Sequence, residues 1–156
     1  MTQNFPPKIG GIQTVMFSLA KDLASMGHEV HVFPDHWFLG IDSFNVSNLI
    51  SPKIFRQYIK KLLLSIKGHK ESIIICDTWK SLNAVPKKFK NIILFAHGQE
   101  YLKIKNKNKI LSSLLRTKIL IASSKYTLDL MKKNWNFSHI DTNVVYPTYH
   151  IKKLFF

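Results

Sequence analysis

With 156 residues, 46% apolar and 21% charged, the chain is long enough for one domain with a real core and too apolar for disorder. Its one cysteine, Cys76, excludes an internal disulfide and points to a reducing compartment. The 23 Lys and Arg outnumber 9 Asp and Glu, but only two are Arg, too few for a surface built to fork onto nucleic-acid phosphates.

The first predicted element is a helix over 12–26, where Ile12, Val15, Met16, Leu19, Ala20, Leu23 and Met26 recur at helical spacing and Gly27 supplies the stop. It is entered through Phe5-Pro6-Pro7-Lys8-Ile9-Gly10-Gly11, where two prolines stiffen the approach and two glycines allow a turn that side chains would block. Free amides at the start of such a helix can hold phosphate; a simple tight turn is the plainer reading. Residues 29–33 alternate as a strand, a loop runs through Asp42, and 46–50 is a candidate edge strand. A helix over 54–66, a strand over 72–76, a short helix over 80–85 and a strand over 91–96 follow. After a lysine-rich tip at 103–109 come a helix over 109–115, a strand over 118–122, a helix over 125–134 and a strand over 143–146.

Strands alternating with helices predict an α/β fold with a parallel sheet and right-handed crossovers. Residues 73–76, 92–96 and 119–122 are continuously apolar, as expected of strands covered on both faces. A doubly wound sheet of this kind opens with an apolar strand, yet only Met1-Thr2-Gln3-Asn4 precede Phe5. That first strand is expected to be absent or reduced to its last residues, with the true start upstream.

The basic residues are clustered: six lie between Lys53 and Lys70 with no acidic residue among them, and ten between Lys80 and Lys118 against Glu100 alone. The helix in the first cluster sets Phe55, Ile59, Leu62, Leu63 and Ile66 on one face, with Arg56, Lys60, Lys61 and Lys67 elsewhere. Such a helix packs on the sheet with a solvated basic face, or lies on an anionic membrane surface. The abundance of Lys, Asn and Ile also fits a compositionally biased genome.

Ligands of α/β sheets bind beyond the carboxyl ends of the strands. The residues expected there are Gly10, Gly11, Asp35, His36, Asp77, Thr78, Trp79, His97, Glu100, Ser123 and Ser124. Asp77 and Trp79 can offer a carboxylate and a stacking platform to a sugar, or serve as a helix cap and a packed ring. Ser123 and Ser124 read as caps of the following helix. There is no Gly-x-Ser-x-Gly elbow, no His-Glu-x-x-His, no P-loop and no Gly-x-Gly-x-x-Gly, so hydrolase, metal, ATPase and dehydrogenase readings lack their defining motifs.

The order Pro6-Pro7, Gly10-Gly11, helix, Gly27-His28-Glu29-Val30 resembles the opening of family 4 glycosyltransferases of the GT-B fold. Ser72 to Trp79 (SIIICDTW) is similar to that family's third or fourth strand, and Phe95-Ala96-His97-Gly98-Gln99-Glu100 to its strand-then-histidine loop. Ile119 to Tyr126 (ILIASSKY) and Val144-Val145-Tyr146-Pro147 extend the resemblance, which spans 5 to about 150. It implies a Rossmann-like N-terminal, acceptor-side domain over 1–150, followed by an altered or truncated linker at 151–156.

The implied activity is retaining transfer of a sugar from a nucleoside diphosphate donor to a sugar or lipid-linked acceptor, in envelope polysaccharide or lipopolysaccharide synthesis. Gly10 and Gly11 would lie under the donor diphosphate, and His97 would contact the donor sugar or the acceptor. Glu100 would hold the imidazole or a sugar hydroxyl, and Asp77 and Trp79 would bind substrate. No metal and no cofactor are implied. The donor-binding domain, with its Arg, Lys and paired Glu, is not in this sequence, so the chain alone is expected to be inactive. A split enzyme with a partner chain carrying that domain is one alternative; a basic nucleic-acid-binding module is another, disfavoured by the scarcity of Arg. The expected location is cytoplasmic, peripheral on the inner face of the plasma membrane.

Overall fold

A computed structural model describes residues 1–7, 9–40, 43–48, 51–102 and 106–146. Helix α1 (Gly11–Ser25) turns Met16 and Ala20 inward and ends where Gly27 takes a left-handed φ of 89°, a conformation that costs glycine least. Strands β1 (His31–Val32) and β2 (Asn45–Val46) then pair in parallel, His31 opposite Asn45. Helix α2 (Arg56–Lys67) leads to β3 (Ile74–Cys76), α3 is a single turn (Trp79–Leu82), and β4 (Ile92–Ala96) follows. Helix α4 (Lys107–Leu114), β5 (Ile119–Ala122), α5 (Lys125–Asn134) and β6 (Asp141–Val144) complete the order. Strands β3-β4-β5-β6 form one parallel ladder, with Leu94 between Cys76 and Leu120.

Met1 and Thr2 take the position of the strand expected before the Pro-Pro turn. The Met1 amine donates to the Ile75 carbonyl at 2.8 Å, Asp77 N–H donates to the Met1 carbonyl at 3.3 Å, and Thr2 N–H donates to the Phe33 carbonyl at 3.2 Å. Residues bonded alternately to either side of one neighbour make the pattern of a parallel ladder. Met1 and Thr2 therefore stand between β1 and β3, and the spatial order runs β2-β1-(1–2)-β3-β4-β5-β6.

Two apolar clusters lie on opposite faces. Ile74, Cys76, Ile92, Leu94, Ala96, Leu120 and Ala122 face a cluster closed by Leu64 of α2, Leu82 of α3, Ile110 and Leu114 of α4, and Leu128 and Met131 of α5. Phe5, Met16, Ala20, Val32 and Phe44, with Ile75 against them, make the α1 side. The expectation that both faces of the apolar strands are covered is corrected for β4 and β5. Their alternate residues Ile93, Phe95, Ile119 and Ile121 are only half-buried, because the crossovers from β3 onward all pack on the first face.

A second correction concerns α2. The face named from sequence does not dock as a unit: Leu63 turns toward the core, whereas Phe55, Leu62 and Ile66 are exposed, with Tyr58 beside them. The residues that face inward are Leu64 and, unexpectedly, Lys60. The final strand also begins earlier than the apolar run 143–146, at Asp141. Ladder bonding to Ile119 sets its start, and an edge position tolerates polar residues. The tip residues 103–105 and the linker from 147 onward, including the predicted boundary at 150, lie outside the described residues.

Candidate functional site at the carboxyl edge of the sheet

Asp77, the first residue beyond β3, has no accessible surface. Its Oδ2 accepts from Thr2 Oγ1 at 2.8 Å, Gln3 N–H at 2.9 Å, Asn4 N–H at 3.0 Å and Asn4 Nδ2 at 3.2 Å, and its Oδ1 accepts from Ser81 Oγ. A buried carboxylate needs such partners. They make Asp77 the clamp of the segment that leads into the Gly10-Gly11 turn, neither the cap of a helix nor a group open to a ligand. Trp79 is also buried, 3% exposed, and donates its indole N–H to the Glu100 carbonyl at 3.3 Å. The sequence placed both residues at the correct edge; the packing leaves neither with a free face.

Asp35, beyond β1, forms an ion pair with Lys60, whose Nζ also donates to the Thr2 carbonyl at 2.8 Å. Burial lowers the Lys60 pKa, opposed by the Asp35 carboxylate. The ammonium thus ties α2 to the same segment that Asp77 clamps. Nothing in a helix with four basic residues singles out the one that turns inward, so sequence reasoning missed Lys60. Its spacing four residues before the buried Leu64 was the available signal.

His97 follows β4 directly. Its main-chain N–H donates to Glu100 Oε1 at 2.8 Å, so Glu100 shapes the loop. Gly98 has φ 118°, where a side chain is strained, and a Cβ there would sit 3.5 Å from Thr127 Oγ1 in the first turn of α5. The His97 ring stacks on Phe95, centroids 6.1 Å apart. Its Nε2 is buried and has no hydrogen-bond partner among the described residues; Thr78 Oγ1, at the end of the neighbouring strand, is in the same condition. Burial lowers the His97 pKa from its ordinary 6.5, opposed by Glu100 and Asp77, so the ring is neutral at pH 7. Two orphaned buried polar atoms on adjacent strand ends are what a polar ligand would satisfy.

Gly10 precedes α1 with φ 164° and ψ 164°, an extended backbone open to any residue. The nearest atoms that a Cβ there would meet belong to the flexible end of the Gln13 side chain. The fold itself therefore does not demand glycine at position 10. Gly11 is exposed, and neither a capping side chain nor an acidic residue blocks the first-turn amides. Ser124 Oγ accepts from Thr127 N–H at 3.1 Å and caps α5 as expected, while Ser123 N–H donates to the Ala96 carbonyl. His36 is half-buried at the same edge. Among the described residues no group of three His, Cys, Asp or Glu gathers as a metal site. Cys76 lies beneath, its thiol pushed up to about 12 by burial.

The parallel order and the ligand edge define a Rossmann-like α/β domain of the kind that forms half of a two-domain nucleotide-sugar transferase. The profile of Glycosyltransferase Family 4 matches residues 9–152, and the chain belongs to that family. No curated protein matches the sequence.

Proposed function

We propose that this domain is the acceptor side of a retaining glycosyltransferase that moves a sugar from a nucleoside diphosphate donor to a sugar or lipid-linked acceptor in envelope polysaccharide synthesis. The observation that carries the reading is His97 Nε2, neutral, buried and without a partner among the described residues, at the carboxyl edge of β4. A neutral imidazole in that position can bond a sugar hydroxyl. The uncapped amides at the start of α1 suit the departing diphosphate, whose developing charge is the main electrostatic demand of the reaction. Cations for that charge would come from a donor-binding domain, in the same polypeptide or in a partner chain. A transfer assay tests this with the purified chain, alone and mixed with the product of the adjacent reading frame. Turnover is expected only in the mixture. Robust turnover by the chain alone would overturn the half-site reading, and none in either arm would remove the transferase assignment.

The exposed face of α2 favours a membrane-associated acceptor. Phe55, Tyr58, Leu62 and Ile66 are 56%, 75%, 60% and 72% exposed, in a stretch without acidic residues, and Lys53 and Lys61 are exposed beside them. Among the described residues no helix is long and apolar enough to cross a membrane, so the contact would be peripheral. Sedimentation with phosphatidylglycerol vesicles should capture the wild type, and the double variant Leu62→Glu, Ile66→Glu should bind at least about tenfold more weakly. Equal binding by the variant would remove α2 from the contact.

A further inference from the structure

The three tryptophans are held in different ways. Trp79 and Trp135 are buried and donate to the main-chain carbonyls of Glu100 and Tyr101 at 3.3 and 3.0 Å. Trp37 is 43% exposed, and its indole N–H has no acceptor among the described residues. It stands in the segment after β1, at the same strand edge as Asp35.

That segment is fixed from both sides. Asn48 Oδ1 accepts from Phe38 N–H at 2.8 Å, and Asn48 Nδ2 donates to the Phe38 carbonyl at 2.7 Å. The Phe38 ring packs edge-on against Phe5 at 5.4 Å and tilted against Phe17 at 5.9 Å. Phe5 opens the approach to the Gly10-Gly11 turn, so the segment bearing Trp37 is anchored beside the loop where α1 begins. The main chain next to Trp37 is therefore held in place, and a large flat apolar side chain remains in water.

We propose that Trp37 is the stacking platform for a pyranose ring of the acceptor. The inference rests on the transferase reading and moves the platform from the buried Trp79 to a tryptophan that a ligand can reach. The C–H face of a pyranose can cover the indole and remove apolar area of both from water, while the ring hydroxyls stay free at its edge. The free indole N–H is one donor for those hydroxyls. With the adjacent main chain held, an indole has only two side-chain torsions to lose on binding, which favours ligand affinity. An acyl chain calls for a walled groove; the neighbouring Leu39, 83% exposed, adds apolar surface without walls.

Because the other two tryptophans are 3% and 7% exposed, quenchable fluorescence reports Trp37. The purified chain is titrated with N-acetylglucosamine, methyl glucoside and methyl mannoside, following acrylamide quenching and, in parallel, ligand-observed saturation-transfer NMR. At least one sugar should protect Trp37 from quencher and give saturation transfer. Trp37→Ala should weaken that binding about tenfold or more, and Trp37→Phe should restore part of it, with circular dichroism unchanged in both. Sugar bound equally well by Trp37→Ala would overturn the platform and leave the acceptor-side reading standing. No binding of any of the three sugars by the wild type would overturn the platform, while turnover in the reconstituted mixture decides the transferase reading by itself. Protection by phosphatidylglycerol vesicles and by no sugar would assign Trp37 to a lipid surface and overturn the proposal.

Discussion

Asp77→Ala should lower stability by about 3–5 kcal/mol, a large share of the 5–15 kcal/mol typical of a domain. The change leaves the N–H groups of Gln3 and Asn4 and the hydroxyl of Ser81 without the carboxylate that now accepts from them. Hydrogen bonds to a charged acceptor contribute roughly 1.5–3 kcal/mol each, though losses within one network do not add. At this chain length each kcal/mol moves the midpoint by roughly 2–4 °C, so thermal unfolding followed by circular dichroism should show a drop of roughly 10 °C. Asp77→Asn keeps one acceptor oxygen and should cost less than half as much. An Ala variant that melts within experimental error of the wild type would show that the clamp on residues 2–4 does not matter.

His97→Ala should reduce sugar transfer at least about a hundredfold in the reconstituted assay, the lower range for losing a positioned imidazole. Stability should fall less than for Asp77→Ala, because the main-chain bond to Glu100 survives when the ring, with its stack on Phe95 and its bond to the Asp77 main chain, is removed. The pH profile distinguishes a substrate contact from a structural role. Burial holds the His97 pKa below 6.5, so the neutral form dominates at pH 7 and is lost as pH falls through that lowered value. Activity should therefore show an acid limb below 6.5 that His97→Ala lacks. Glu100 pulls the His97 pKa upward, so Glu100→Gln should move the limb to still lower pH. A wild-type profile flat from pH 7 to pH 5, or a His97→Ala variant with full turnover, would remove the imidazole from the reaction.

The α/β alternation, the helix after the glycine pair and the histidine beyond β4 were legible in the sequence because each depends on local chemistry. Helical and strand periods are written into neighbouring residues, and a strand that ends in Ala96-His97-Gly98 leaves its polar residues at the ligand edge. The family was legible for the same reason, since its motifs are short and ordered along the chain. Packing decided what spacing cannot express. Met1 and Thr2 fill a strand position only because β1 and β3 stand on either side of them. Lys60 became the buried ammonium among its basic neighbours because α2 meets Asp35 and the Thr2 carbonyl at that point. Asp77 and Trp79, which the sequence allows either as ligand groups or as a cap and a packed ring, are spent inside the fold, while Trp37 is left in the open. A residue type states what a side chain can do, and only the residues brought against it from distant parts of the chain determine whether that capacity remains free.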